Sequence, residues 1–347
     1  METELLHNVD PADILAYARE VPTPAGFLLT QEVVPETFIN NVKYRIKSRE
    51  RRVNTAKFRA YDASTPMGRR EVQHAVTEGM LPPLGQVFTV GELETILLSI
   101  SRGADNQELV DALYNDVERH VLGIKHRLEL AAGDVLEDGI FSLVDENGLT
   151  IEADFGVDAA FLPDATTLWS NPNAGHINQE RLWIEHLIDE GDGAPAEAIT
   201  STAVLRQLAR SEEYKQLLYG DLVDVTGRPT LLPGQINEAR ARAGLPPVRA
   251  YDVKVRVDGV QKRTIAENRF ILLPENKEEF AETQYGITAE ALTLARNGNP
   301  RIEREDLPGI VVTAWEQDNP ISTGTKSAAV AMPVLYGTDS FVSAKVL

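Results

Sequence analysis

The feature that most constrains this chain is a helical stripe over residues 105–138. Leu113, Val117, Ile124, Leu128 and Val135 recur at spacings of four and seven, which places them on one face of an α-helix. Asp105 with Glu108 three residues on is an aspartate version of the capping box. A helix of this length spans roughly 48 Å at 1.5 Å per residue, against a mean of about 11–12 residues in globular proteins. Gly123 and Gly133 interrupt it, and each costs about 1 kcal/mol relative to alanine, so a bend would fall there. A spine of this kind needs partners along its whole length. The remaining elements must therefore be read as what it packs against.

Those elements are mixed. Asp10 and Pro11 predict the cap and first residue of a helix over 11–20. Pro22, Pro24 and Pro35 then predict an irregular tether over 21–37. A short helix is expected over 91–101. After the spine, 140–144 and 149–155 read as a hairpin about a turn at 145–148, because Asn147-Gly148 suits the positive φ of a type I′ turn. Further on, helices are expected at 178–188, 201–210, 212–219 and 235–243, the last closed by Gly244. A short buried strand is expected at 196–200 and a hairpin at 251–257 and 260–266 about Asp258-Gly259. Strands are expected at 270–273, 310–315, 328–335 and 341–346. The chain has 347 residues, 43% hydrophobic and 25% charged. That is enough apolar material for about two domains.

Charge is unevenly distributed. The net charge is −19, yet residues 41–70 carry +8, so the rest of the chain carries −27. The cations of that segment are Lys43, Arg45, Lys47, Arg49, Arg51, Arg52, Lys57, Arg59, Arg69 and Arg70. Val42, Tyr44 and Ile46 alternate with Lys43, Arg45 and Lys47, which is the period of a strand. A second strand-forming run covers 53–61 and ends in a turn at 64–68, with a return toward 77. This reads as a long basic β-arm. Such a hairpin buries too little apolar surface to be stable alone, so the sharper expectation is that it lies on an acidic neighbour. A nucleic-acid-binding arm is the runner-up, disfavoured by the acidity elsewhere.

Local motifs for chemistry are missing from the sequence. There is no cysteine, which excludes disulfides, thiolate metal sites and a cysteine nucleophile. The stretch 322–327 lacks the glycine spacing of a phosphate loop. No nucleophile elbow occurs. His120 and His126 are six apart, and His176 and His186 ten apart, neither a metal-ligand spacing. All are expected to be surface or half-buried structural histidines. The acidic clusters at 189–192, 278–282 and 303–306 read as solvated faces, with acid–base catalysis or cation binding as the alternative. No cofactor is expected. Residues 1–10 lack the basic and apolar regions of a secretory signal, and no run approaches 18 apolar residues, so no membrane association is expected.

Residue-level likeness lies mainly in the last 80 positions. It is carried by Phe270-Ile271-Leu272-Leu273-Pro274-Glu275-Asn276, Glu282-Thr283-Gln284-Tyr285-Gly286-Ile287-Thr288, the run Ala328 to Leu335 and the run Asp339 to Val346. These resemble the lambda-type major capsid protein E family of tailed bacteriophages, which has the Hong Kong 97-type α+β fold. The order of elements resembles it over nearly the whole chain. The resemblance implies an N-terminal arm (1–40), an extended loop (41–90), a peripheral domain (91–160 and 305–347) and an axial domain (161–304). It implies a non-enzymatic virion protein that self-assembles in the host cytoplasm into an icosahedral shell of hexamers and pentamers. The ten cations would be inter-subunit contacts. Scaffold, portal and decoration proteins would be partners, with DNA enclosed but not read. Two alternatives are a cellular compartment shell of the same fold and a soluble α+β hydrolase using clustered carboxylates.

Overall fold

The computed structural model describes residues 10–47, 76–91, 106–146, 148–220, 229–296, 308–318 and 321–347. The chain opens with helix α1 (Pro11–Glu20), whose Asp10 side chain accepts from the Ala12 N–H as the sequence predicts. The tether expected over 21–37 is instead partly regular, with Val21, Phe27, Leu29, Thr30, Val33 and Val34 buried. It holds a π-helical turn at Leu29–Val33 and strand β1 (Glu36–Phe38). The prolines only delimit these elements, and a distant carboxylate satisfies the N–H groups that open the turn, as described below.

Strands β2 (Lys43–Lys47) and β3 (Val76–Met80) pair antiparallel with each other. β4 (Pro83–Gly91) follows, an element not expected from its Pro/Gly-rich sequence. Gly91 closes that strand, and the remainder of the helix expected over 91–101 lies outside the described residues, as does the strand-forming run 53–61.

The spine is helix α2 (Asn106–Asp138), 33 residues long. Val117, Val121, Ile124, Leu128, Ala131, Ala132, Val135 and Leu136 are all at most 5% exposed, so the periodic stripe is its core face. Gly133 has a packing role there: a Cβ would overlap the Thr264 carbonyl oxygen, so only glycine lets the helix meet that backbone. β5 (Ile140–Glu146) and β6 (Leu149–Asp154) form the next hairpin. The strands run closer to the turn than the sequence suggests, with Glu146 facing Leu149 across it, and Gly148 takes φ 80°.

The elements of residues 161–347 follow in order. They are α3 (His176–Asp189), β7 (Glu197–Thr200), α4 (Thr202–Leu208), α5 (Glu212–Tyr219), α6 (Pro233–Ala243) and β8 (Val248–Ala250). Gly244 ends α6 in the left-handed conformation, as expected. β9 (Lys254–Val257) and β10 (Val260–Arg263) turn about Asp258 and Gly259, both at positive φ. Next come β11 (Arg269–Leu273), β12 (Ala281–Tyr285), α7 (Ala289–Arg296), β13 (Val311–Asp318), β14 (Ile321–Leu335) and β15 (Val342–Lys345). Ser322 to Lys326 lie within β14, so the stretch that superficially resembles a phosphate loop is extended strand.

Two sheets organise the molecule. In the first, the long β14 pairs with β13 and β4 along its two edges and then with β12, which carries β1 in parallel. The second has the order β15-β11-β7-β8. Strand pairing therefore crosses the divisions drawn from the sequence. β12, from 161–304, joins the sheet of β13 and β14, whereas β15, from 305–347, joins the sheet of β7 and β11. One core lies between α1, α2 and the first sheet, with Ile14, Val117, Val121, Ile124, Tyr285 and Val312. Another lies between α3–α6 and the second sheet, around Trp169, Tyr214, Phe270 and Leu272.

Candidate assembly surfaces

The β2–β3 ribbon brings three of the ten predicted contact cations onto one strand. Lys43, Arg45 and Lys47 sit at alternate positions of β2. In register they lie opposite Met80, Glu78 and Val76. Lys43 is exposed. Tyr44 is buried, packing against Phe155, and its ring occupies the space above Gly79. Tyr44 thus roots the ribbon in the body, while Val42 and Met80 remain exposed. Arg49, Arg51, Arg52, Lys57, Arg59, Arg69 and Arg70 lie outside the described residues.

Two buried polar junctions were not anticipated. The first is Glu129 on α2, fully buried. Its carboxylate accepts from the Leu29 N–H at 3.0 Å, the Thr30 N–H at 2.9 Å, the Thr30 hydroxyl at 2.6 Å and the Tyr251 hydroxyl. The acid cancels the unpaired N–H groups that begin the π-helical turn. It thereby ties the N-terminal segment, the spine and the segment after β8 to one point. Burial and the adjacent carboxylate push the Tyr251 hydroxyl well above its ordinary pKa, so it stays a donor.

The second junction lies among α3, α5 and α6. Arg240 of α6 pairs bidentately with Glu180 of α3, at 2.8 and 2.5 Å, with both side chains fully buried. Its remaining donors reach the Tyr214 hydroxyl at 2.9 Å and the Pro246 carbonyl at 2.7 Å. Its guanidinium carbon lies 5.5 Å from the centre of the Phe270 ring. Four of the five guanidinium N–H donors are used, and the charge is paired, which is the condition for burying one. The sequence held a signal: Glu180 falls on the same face of α3 as the buried Ile177 and Leu187.

His120 and His176 are fully buried, against the expectation of surface or half-buried positions. His120 stacks on Phe88 at 4.3 Å and its Nε2 meets the Thr325 hydroxyl at 2.9 Å. His176 lies between the Trp169 carbonyl and the Ser211 hydroxyl. Of the acidic clusters, 189–192 closes α3 and 278–282 leads into β12, while 303–306 lies outside the described residues. Among the described residues, no group of acids and histidines is placed to hold a metal ion, and no helix is long and apolar enough to cross a membrane.

Comparison with known proteins gives one consistent answer. The sequence matches the phage major capsid protein E family over residues 10–346. A solved prophage protein of E. coli CFT073, assigned as its capsid protein, superposes with a TM-score of 0.65 at 15% identity. The match covers 98% of this chain and 99% of that one. A phage-related protein from Bordetella bronchiseptica RB50 gives 0.56 at 12% identity, covering 97% of each chain. The capsid of the myovirus XM1 gives 0.50 at 9% identity, covering 100% of this chain and 99% of that one. Comparison with curated proteins returns no match. Nothing in these findings supports the hydrolase alternative. With a family match from the first helix to the last strand, and the Hong Kong 97-type fold shared with solved phage capsid proteins, this chain belongs to the phage major capsid protein E family and is a capsid shell protein.

Proposed function

We propose that the chain forms the icosahedral shell as hexamers and pentamers, and that the basic arm clamps each copy onto an acidic surface of its neighbour. The observation that carries this reading is the β2–β3 ribbon. Among the described residues it pairs with no third strand and is rooted through Tyr44, while Lys43, Arg45 and Lys47 occupy alternate positions of β2. A two-stranded ribbon is marginal alone, and a strongly acidic body offers an oppositely charged surface on the next copy. Lys43, Arg45, Lys47, Arg49, Arg51, Arg52, Lys57, Arg59, Arg69 and Arg70 are the contact residues in this reading.

The N-terminal arm is 1–40 and the extended loop 41–90. The peripheral domain comprises 91–160 and 305–347 and the axial domain 161–304, with β12 and β15 exchanged between their sheets. The protein works without catalysis. It assembles in the host cytoplasm, with scaffold, portal and decoration proteins as partners, and encloses DNA that its net negative charge keeps from adhering. Electron microscopy of the expressed protein tests the reading, alone and with its neighbouring phage proteins. Closed shells are expected. A chain that stays monomeric under every assembly condition would overturn it. Changing Arg45, Lys47, Arg49 and Arg51 together to glutamate is expected to block assembly with little change in subunit unfolding. Normal shells from that variant would remove the docking role of the arm.

A further inference from the structure

The axial half carries two surfaces of opposite character. The free edge of β15 is bridged by residues 163–169, and α3 packs on the neighbouring Phe161. His186 of α3 packs on Phe161 at 4.7 Å, and the Ala165 N–H bonds to the Lys345 carbonyl of β15. The outward face of α3 carries Leu182, Glu185 and Asp189 at helical spacings of three and four, flanked by Ile188. Leu182 is 62% exposed and Ile188 53%, with both acids exposed beside them.

At the other edge, β8 is the last strand of the same sheet. Against it lies a groove of about 570 Å³ whose lining includes Leu205, Leu231, Ile236 and Val248, with Arg206 and Arg210 beside them. Both arginines are exposed, and neither side chain has an ion-pair or hydrogen-bond partner among the described residues. Leu232, next to the lining, is 67% exposed.

We propose that the α3 face of one copy seats in the β8 groove of the next. Leu182 and Ile188 would enter the apolar floor, and Glu185 and Asp189 would meet Arg206 and Arg210. The proposal rests on the shell reading above and specifies one contact within it. Its basis is complementarity within one chain: an apolar ridge edged by acids and an apolar groove edged by bases. The ridge and the groove are different patches of the same chain, so the contact is heterologous. Contacts of that kind repeat from copy to copy and close into rings when the rotation permits. The chain's net charge of −19 makes copies repel in general. An axial contact therefore needs local cations, and these two have no other described partner.

A charge-swap experiment on the full chain tests this. Arg206→Glu with Arg210→Glu, and separately Glu185→Arg with Asp189→Arg, are each expected to lower the sedimenting particle fraction by about tenfold or more. The four substitutions combined are expected to restore shells seen by electron microscopy. Thermal melts by circular dichroism check that each subunit is folded, and Arg206→Gln with Arg210→Gln is the milder pair if the first is not. Wild-type shells with unaffected double variants would overturn this contact and leave the shell reading intact. A combined variant as defective as the folded doubles would overturn it too. A wild-type chain that never forms particles would overturn the shell reading itself, and this contact with it.

Discussion

Replacing Glu129 with alanine tests the central junction directly. The carboxylate serves four donors: the Leu29 and Thr30 N–H groups and the Thr30 and Tyr251 hydroxyls. The hydroxyls can rotate toward other acceptors, but the two backbone N–H groups are fixed by the turn. Leu29 is 0% exposed and Thr30 5%, so water does not replace the lost acceptor. Leaving a buried donor unpaired costs about 1–3 kcal/mol. Two such donors give a loss of about 2–6 kcal/mol, set against a total stability of about 5–15 kcal/mol for a typical domain. Glu129→Gln keeps one acceptor oxygen but turns an amide toward the donors, and should fall between alanine and wild type. Tyr251→Phe removes a single partner and should cost about 1 kcal/mol. Denaturant unfolding of the unassembled subunit measures the stabilities, and hydrogen exchange at Leu29 and Thr30 reports the local effect. An alanine variant within about 0.5 kcal/mol of wild type, with both amides still protected, would refute the reasoning.

Two further expectations concern packing and pH. Gly133→Ala places a methyl group against the Thr264 carbonyl, which is backbone and cannot swing aside. A loss of about 1–3 kcal/mol is expected in the same unfolding assay, and an unchanged midpoint would show that the helix has room there. Burial holds the His120 and His176 imidazoles below the ordinary range, opposed by Asp116 and the Thr325 contact at His120 and by the Trp169 carbonyl and Glu213 at His176. The unfolded chain then binds more protons than the folded one below about pH 6.5. Their contribution is complete above that pH and is lost as pH falls through the depressed folded values. Urea midpoints of the subunit should therefore drop between about pH 7 and pH 5. His120→Gln with His176→Gln should flatten that slope, and an unchanged slope would exclude these histidines as its source.

Local order was legible in the sequence because its causes are local. Helical periodicity specified α2, since apolar residues three and four apart share a face wherever the helix packs. Asp10 announced the start of α1, Gly244 the end of α6, and Asp258-Gly259 the β9–β10 turn, because cap and turn geometry depend on adjacent residues. The alternation of Val42 to Lys47 specified a strand with one charged side. The family itself was legible in the closing β-segments. What the sequence could not indicate was which distant groups would meet. Glu129 meets Leu29 across 100 positions, and Arg240 meets Glu180 across 60. A polar residue on an apolar face signals burial, but its partner is chosen only when helices and sheets pack. The same holds for β4 and β12. Their sequences are weak strand signals, and they become strands because the 15-residue β14 supplies a ladder for them to join. Sequence alone determined the spine, most of the helices and turns, and the +8 segment against an acidic remainder. Only the tertiary structure set an acid-edged ridge and a base-edged groove on one chain, because the groove is assembled from α4, α6 and β8, segments that meet only when the helices and the sheet pack.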